Sequence, residues 1–195
     1  MIFATNNQHK VEEIRSALPE NFSIISLQEA GIDIEIAEPH DSLQDNASEK
    51  ARTIYALTQT NCFSEDTGLE VYSINNEPGV HSARYAGEQA GKPGVAFDKN
   101  IDKLLSRLLN STDRKARFRT VICLILDGKE YFFEGVCEGE IICGRRGASG
   151  FGYDPVFIPA GSGKTFAEMG MEEKNKYSHR KKAVDKLVTF LNTLQ

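Results

Sequence analysis

Two adjacent carboxylates, Glu65 and Asp66, stand just before Gly68 in the segment 63–71. The residues around them predict the end of one strand, a tight turn at Gly68 and the start of a second strand. Because neighbouring side chains on a strand point to opposite faces, we expect the two carboxylates to do different jobs. A carboxylate that faces a cleft suits a metal ligand or a general base. From this segment alone, the alternative is an acidic turn in which Asp66 caps its own backbone.

Segments that suit a phosphate group lie near both ends of the sequence. Residues 5–10 connect a short apolar strand, 1–5, to a helix, and the free N–H groups at the helix start, together with Lys10, favour an anion. A helix predicted to begin after Ser178 carries four cationic or ionisable side chains, 179–182, in its first turn, against the helix dipole. A docked anion or carbonyl group would explain that conflict. The alternatives are an ordinary capped helix in the first case and solvent-facing lysines in the second.

Two further segments have the residue types of a nucleotide site. A helix from about residue 43 to 58 places Asn46 and Lys50 four residues apart on one face, where both could meet an oxyanion. The alternative is a solvated polar face. In residues 150–155, two glycines flank Phe151, whose open ring face suits stacking of a flat base. The alternative there is a glycine-rich hairpin with one packed ring.

Composition excludes several classes of protein. The chain has 195 residues, 40% of them hydrophobic and 26% charged, which is ordinary globular usage with enough length to bury a core. The net charge of −5 argues against a general electrostatic grip on nucleic acid. No apolar run approaches the roughly 20 residues of a membrane helix, and the four cysteines form no C-x-x-C pair. We therefore expect a reduced, cytoplasmic protein with no signal peptide, no membrane span and no zinc site.

Strand and helix patterns alternate in the first half of the chain, whereas the second half contains a pair of long strand patterns joined by Asp127-Gly128, a two-residue hairpin signal. This order predicts an α/β fold with a mixed sheet rather than an all-parallel one. The predicted strands are 1–5, 22–27, 62–65, 69–73, 118–126 and 131–142, and the predicted helices start near residues 7, 43, 97 and 179.

Six motifs, in this order and over nearly the whole chain, resemble the HAM1/RdgB family of non-canonical purine nucleoside triphosphate pyrophosphatases, also called inosine triphosphate pyrophosphatases or ITPases. The motifs are Thr5-Asn6-Asn7-x-x-Lys10, Asn46-Ala47-x-x-Lys50-Ala51, Ser64-Glu65-Asp66-Thr67-Gly68-Leu69, Pro78-Gly79-Val80-His81-Ser82-Ala83-Arg84-Tyr85, Gly150-Phe151-Gly152-Tyr153-Asp154-Pro155 and Ser178-His179-Arg180.

The resemblance implies a single ITPase-like domain over residues 1–195, of the Maf/HAM1 type, with two lobes around a central active-site cleft. It also implies a homodimeric, Mg²⁺-dependent hydrolase that converts ITP, dITP and XTP to the monophosphate and pyrophosphate and so removes deaminated purines from the nucleotide pool. The implied partner is a small nucleotide, with no nucleic acid and no membrane.

The resemblance further implies roles for individual residues. Asp66 is implied to be the proton acceptor and a Mg²⁺ ligand, with Glu38 as the second ligand. Pro39-His40-Asp41 replaces the Thr- and Gly-containing segment that usually follows this glutamate, so Asp41 and Asp45 stay open as substitutes. The residues implied to bind substrate are Thr5, Asn6, Asn7, Gln8, His9, Lys10, Lys50, Thr67, Phe151, Gly152, Tyr153, Asp154, Lys174, His179 and Arg180.

Two alternatives to this function remain open. One is a Maf-type pyrophosphatase that acts on modified pyrimidine nucleotides, which is disfavoured because the donors His179 and Arg180 suit the keto oxygen at purine C6. The other is a non-enzymatic nucleotide-binding module or an RNA-binding protein. Such a protein would not need Asp66. The acidic net charge also disfavours RNA binding, because it would repel the phosphate backbone.

Overall fold

The computed structural model describes residues 1–87 and 93–194, and the chain divides into two compact units. The first unit comprises Met1–Asp66, Thr120–Gly135 and His179–Gln195. The second comprises Thr67–Arg119 and Val136–Ser178. Both ends of the described chain therefore belong to the first unit. The single two-lobed domain with a central cleft stays a prediction.

The described ranges form a seven-stranded mixed sheet in the order β2-β1-β3-β5-β6-β7, with β4 paired to β3. The strands are β1 (Ile2–Phe3), β2 (Ile25–Ser26), β3 (Cys62–Val71), β4 (Glu77–Gly79), β5 (Lys115–Leu126), β6 (Lys129–Ile141) and β7 (Phe157–Pro159). The helices are α1 (Gln8–Ala17), α2 (Leu43–Thr58), α3 (Pro93–Arg107), α4 (Met171–Asn175) and α5 (His179–Asn192). Strand β1 pairs in parallel with β2 and β3, whereas β4 pairs antiparallel with β3, and β7 pairs antiparallel with β6. The predicted α/β fold with a mixed sheet is confirmed.

In the first unit, local sequence signals set the helix starts. The side chain of Asn7 accepts a hydrogen bond from the backbone N–H of Lys10 at the start of α1, and Ser42 caps α2 through the N–H of Asp45. Apolar residues of α1 and α5 then pack in one buried cluster with residues of β1, β3 and β5. Gly135 on β6 permits the close approach of α5, because an added Cβ there would lie 2.0 Å from the carbonyl oxygen of His179.

In the second unit, the buried face of α3 packs into a separate apolar cluster with aromatic rings of β5, β7 and the segment after β7. Asn100, which is buried on α3, donates to the carbonyl oxygens of Ser82 and Ala83 and accepts from the N–H of Ala86. The helix therefore holds the loop that follows β4 by hydrogen bonds as well as by apolar packing.

The predicted turn at Gly68 is wrong, because β3 is one continuous strand from Cys62 to Val71. Glycine is needed at position 68 for a different reason. An added Cβ there would lie 2.5 Å from the carbonyl oxygen of Gly79, so only glycine allows β4 to pack this close to β3. The alternative in which Asp66 caps its own turn is therefore also wrong, because the structure has no turn there. By contrast, the predicted hairpin is confirmed, since Asp127 and Gly128 have φ values of 49° and 78°.

Two of the predicted strands are shorter than expected: 1–5 forms β1 at Ile2–Phe3, and 22–27 forms β2 at Ile25–Ser26. The apolar pattern identified these segments, but their pairing with neighbouring strands extends over only two residues each. Among the helices that the structure describes, none combines the length and the apolar character that crossing a bilayer requires.

Candidate functional site

The two carboxylates on β3 face different partners, as the alternation of side chains along a strand predicts. Glu65 forms ion pairs with Lys10 and Arg180. Asp66 forms an ion pair with Lys50. All of these residues belong to the first unit. We call the first group the Glu65 cluster, formed by Glu13, Lys10, Glu65 and Arg180. We call the second the Asp66 cluster, formed by Glu38, Lys50 and Asp66.

In the Asp66 cluster, one ammonium group joins two carboxylates. The Nζ of Lys50 donates to Glu38 Oε1 at 2.6 Å and to Asp66 Oδ1 at 3.0 Å. Lys50 and Asp66 are only 6% and 5% exposed. Helix α2 positions Lys50, while β3 positions Asp66. Because both carboxylates touch the same atom, they define one point that a cation can occupy in contact with both.

Asn46, one turn before Lys50 on α2, fixes the backbone close to Glu38. Its side chain accepts from the N–H of His40 at 2.9 Å and donates to the carbonyl oxygen of His40 at 3.0 Å. Its Nδ2 also lies 3.5 Å from Asp66 Oδ2. The alternative of a solvated polar face is therefore wrong for Asn46 and Lys50, which are both buried.

The structure separates the three candidates for a second metal ligand. Glu38 shares Lys50 with Asp66, as described above. Asp45 is exposed and accepts a hydrogen bond from the hydroxyl of Ser42 at the start of α2. Asp41 is also exposed. Of the three candidates, Glu38 is the one whose geometry fits a shared ligand position with Asp66.

Burial and neighbouring charge set the protonation of this cluster. Burial raises the pKa of Asp66, although the charges of Lys50 and Lys10 lower it. Burial lowers the pKa of Lys50, but the charges of Asp66 and Glu38 outweigh it, so the net pKa is raised. Lys50 therefore stays an ammonium ion at neutral pH. A carboxylate with a raised pKa is suited to accept a proton.

In the Glu65 cluster, a guanidinium group bridges two buried carboxylates. Arg180 donates from Nε to Glu65 Oε2 at 2.7 Å and from Nη2 to Glu65 Oε1 at 3.0 Å, a bidentate pair. Its Nη1 contacts Glu13 of α1. Lys10 Nζ lies 3.0 Å from Glu65 Oε1. Burial alone would raise the pKa of Glu65, but Arg180 and Lys10 together hold it well below its usual range.

This cluster changes the interpretation of the cations at the start of α5. Glu13 and Glu65 balance the charge of Arg180, and Asp185 pairs with Lys181 one turn along the helix. The conflict with the helix dipole is therefore relieved by the protein's own carboxylates, and a docked ligand is not required to explain it. Sequence reasoning missed Glu13, whose signal is a carboxylate beside the apolar stripe of α1.

The triphosphate loop predicted at 5–10 is held by contacts within the first unit. The side chain of Asn6 donates to the carbonyl oxygen of Ile34 at 2.9 Å, and the hydroxyl of Thr5 accepts from the N–H of Asn7. The side chain of Gln8 donates to that of Gln28 at 3.0 Å. Lys10 points to Glu65. The loop is thus positioned at a helix start, where backbone N–H groups favour anions.

The second unit contains a compact loop built around Asp154. Its Oδ2 accepts from Lys174 Nζ at 2.6 Å and from the N–H of Phe151 at 3.0 Å. The loop can close so tightly because position 150 is a glycine: an added Cβ would lie 2.1 Å from Asp154 Oδ2, and φ is 76°. Tyr153 is buried and donates from its hydroxyl to the carbonyl oxygen of Ser82.

Phe151 is half-buried within this loop. Its ring lies 6.1 Å from that of Phe97 at an angle of 50°, and Lys174 Nζ lies 5.6 Å from its centroid. The ring is therefore tilted against Phe97 rather than stacked on it. Lys174 and Asp154 are both buried. The loop combines an aromatic ring, an ammonium and a carboxylate, which are the groups that the sequence assigned to nucleotide contacts.

The predicted site residues fall into one group in each unit. The first unit holds Thr5, Asn6, Asn7, Gln8, His9, Lys10, Glu38, Lys50, Asp66, His179 and Arg180, and the second holds Thr67, Phe151, Gly152, Tyr153, Asp154 and Lys174. Thr67 follows Asp66 directly on β3. The substrate-binding roles of these residues stay predictions.

The mixed sheet and the buried charged clusters define an α/β protein with a candidate centre for a metal ion and an anionic substrate. The sequence profile of the Ham1 family matches residues 1–190. The chain therefore belongs to the Ham1 family, which confirms the family predicted from the six motifs.

Curated relatives and solved structures agree with this assignment. The dITP/XTP pyrophosphatase of Flavobacterium johnsoniae is 47% identical over 191 residues, covering 98% of this chain and 97% of that protein. The dITP/XTP pyrophosphatase of Porphyromonas gingivalis is 50% identical over 192 residues, covering 98% and 96%. The structure of the Staphylococcus aureus Ham1 protein matches with a TM-score of 0.87 at 36% identity, covering 100% of this chain and 98% of that one.

Proposed function

We propose that this chain is a Mg²⁺-dependent dITP/XTP pyrophosphatase that hydrolyses ITP, dITP and XTP to the monophosphate and pyrophosphate. The observation that carries the proposal is the Asp66 cluster, in which two carboxylates meet at one cation position beside the lysine-bearing loop 5–10. The names of the curated relatives support the same activity. The proposed partner is a small nucleotide, and we expect a homodimer in the cytoplasm.

Glu38 and Asp66 fit a magnesium ion. Mg²⁺ is usually held by one or two carboxylates, with waters and substrate phosphates completing its coordination. Within residues 1–87 and 93–194, no group of three or more His, Cys, Asp or Glu side chains could form an all-protein metal cage. Two carboxylates completed by a triphosphate agree with that finding. When bound, Mg²⁺ would offset phosphate charge and polarise the phosphoryl oxygens.

The chain's own residues supply the remaining steps. A triphosphate carries about four negative charges, which Lys10 and Lys50 offset in part. Water attacks the α-phosphorus, and the bond from that phosphorus to the oxygen bridging the α- and β-phosphates breaks. Pyrophosphate leaves, and Asp66 takes the proton of the attacking water.

His179 and Arg180 are proposed to recognise the base. Both are buried at the start of α5, and the guanidinium is already oriented by Glu65 and Glu13. Donors at this position suit the keto oxygen at purine C6 and reject the 6-amino group of adenine, whose own N–H donors would face them. GTP shares the 6-keto oxygen. Its rejection therefore requires discrimination at C2 between the amino group of guanine and the oxo group of xanthine.

Pyrophosphate release separates this proposal from its alternatives. We expect release from ITP, dITP and XTP with Mg²⁺ and none after chelation of the metal, with dGTP far slower. A Maf-type enzyme would instead prefer UTP or 5-methyl-UTP, and a binding module would release none. Either of those results would contradict the proposal.

The same assay tests Asp66 directly. Asp66→Asn should lower kcat by at least about 100-fold because the proton acceptor and one metal ligand are lost together. The matched control is Asp127→Asn in the β5–β6 hairpin, which should keep the kcat of the wild type. Circular dichroism checks that both variants fold. Normal turnover of ITP by Asp66→Asn would show that the assigned role is wrong.

A further inference from the structure

We propose that Lys50 is a resident counter-cation: its ammonium holds Glu38 and Asp66 together in the free protein and leaves that position when a divalent cation binds with the triphosphate. The inference rests on the proposed function, because it takes Glu38 and Asp66 as the metal ligands. It adds that this chain binds the metal weakly until the nucleotide is present.

The distances place the ammonium where the metal would have to be. Lys50 Nζ lies 2.6 Å from Glu38 Oε1 and 3.0 Å from Asp66 Oδ1. A Mg²⁺ ion contacts its ligand oxygens at about 2.1 Å. An ion in contact with both carboxylates would therefore overlap the ammonium or repel it strongly at close range in a site shielded from water. Metal binding by Glu38 and Asp66 requires Lys50 to move.

The formal charges favour such an exchange. Glu38 and Asp66 contribute −2 and Lys50 contributes +1, so the cluster carries −1 in the free protein. With a divalent cation in place of the ammonium, the same two carboxylates sum to 0. The displaced ammonium then needs an anion, since a buried cation without one is costly. The triphosphate supplies that anion, which couples the two ligands.

The surrounding structure confines the movement to one side chain. Ala47, Ala51 and Ile54 bury the inner face of α2 and fix its backbone. Asn46 holds the loop after Glu38 at both the N–H and the carbonyl oxygen of His40. The flexible four-carbon stem of Lys50 can move its charge without moving these elements.

Electron paramagnetic resonance of free Mn²⁺ tests the proposal without relying on turnover. In the absence of nucleotide, Lys50→Gln should bind Mn²⁺ at least about 10-fold more tightly than the wild type, because the competing cation is gone. The matched control is Lys164→Gln, which removes an exposed lysine that pairs with Glu173 instead. It should change the Mn²⁺ affinity by less than about 3-fold. Equal affinity of Lys50→Gln and the wild type would overturn the proposal.

A second measurement uses the wild type alone, in case Lys50→Gln does not fold. An α,β-methylene analogue of ITP should raise the Mn²⁺ affinity of the wild type by at least about 10-fold beyond binding of Mn²⁺ to the analogue in solution. No increase would overturn the proposal.

The variant Glu38→Gln distinguishes failure of the proposal about Lys50 from failure of the proposed function. If the metal site is correct, Glu38→Gln weakens Mn²⁺ binding in the presence of the analogue, whatever Lys50 does. If Glu38→Gln leaves that affinity unchanged, the assigned ligand is wrong and the inference about Lys50 falls with it.

Discussion

The Glu65 and Asp66 clusters lie on neighbouring residues of one strand, yet they differ in charge balance. The Glu65 cluster contains two carboxylates and two cations, so its formal charges sum to 0. The Asp66 cluster contains two carboxylates and one cation and sums to −1. The residues of the Glu65 cluster balance one another's formal charge, whereas those of the Asp66 cluster leave one negative charge among themselves. The comparison suggests that the Glu65 cluster orients Lys10 and Arg180, whereas the Asp66 cluster carries the proposed metal ligands and proton acceptor.

The largest effect on stability is expected from the balanced cluster. Glu65→Gln leaves the buried Arg180 with one of its two carboxylates neutralised, so the free energy of unfolding should fall by about 3–5 kcal/mol in a urea titration. The control is Glu173→Gln, which alters the exposed pair with Lys164 and should have little effect. Similar stability of Glu65→Gln and the wild type would break the comparison.

The same variant predicts a dependence on pH. The pKa of Glu65 is depressed in the folded protein, so its contribution is complete above the usual value of 4.5 and is lost as the pH falls toward the folded pKa. The stability difference between the wild type and Glu65→Gln should therefore shrink below pH 4.5, by about 1.4 kcal/mol per pH unit. Urea titrations of both proteins from pH 7 to 3 measure it. A constant difference would contradict the assignment.

A smaller effect is expected where α5 meets the sheet. Gly135→Ala places a Cβ 2.0 Å from the carbonyl oxygen of His179, so α5 must shift and carry Arg180 with it. We expect a loss of about 1–3 kcal/mol, measured as a lower Tm. The control is Gly163→Ala, where an added Cβ meets no atom within 4 Å. Equal Tm values for the two variants would show that this contact does not constrain α5.

The smallest change in stability is expected from the acidic cluster, and it sharpens the comparison. Asp66→Asn removes one negative charge from a cluster whose formal charge is negative. Lys50 remains paired with Glu38. We expect its free energy of unfolding to change by about 1 kcal/mol or less, although the variant loses activity. A loss as large as that of Glu65→Gln would mean that both faces of β3 are structural.

The sequence predicted best what depends on near neighbours. The predicted helix starts near residues 7 and 43, and the predicted hairpin at Asp127-Gly128, depend on side chains and backbone within three residues of each other, so local chemistry determines them. The turn at Gly68 was wrong because a glycine serves a turn and a close backbone approach equally well. Only the position of Gly79 on β4 distinguishes the two.

The site shows the same limit. The family resemblance identified Asp66, Glu38 and Lys50 individually. That the ammonium of Lys50 contacts both carboxylates depends on how α2 packs beside β3. Glu13 was missed because its partner Arg180 lies 167 residues away. No spacing rule spans that separation. Charge balance inside a fold is a tertiary property, and sequence shows only the residues that are available for it.

The long reach of Arg180 has a consequence for how the protein is made. Glu13 and Glu65 are translated early, whereas the guanidinium that contacts both arrives only with α5. Until then only Lys10 offsets these two carboxylates within the cluster, so their burial is penalised, which opposes premature compaction. A chain that stops before α5 would therefore lack the guanidinium that these two carboxylates share in the folded protein.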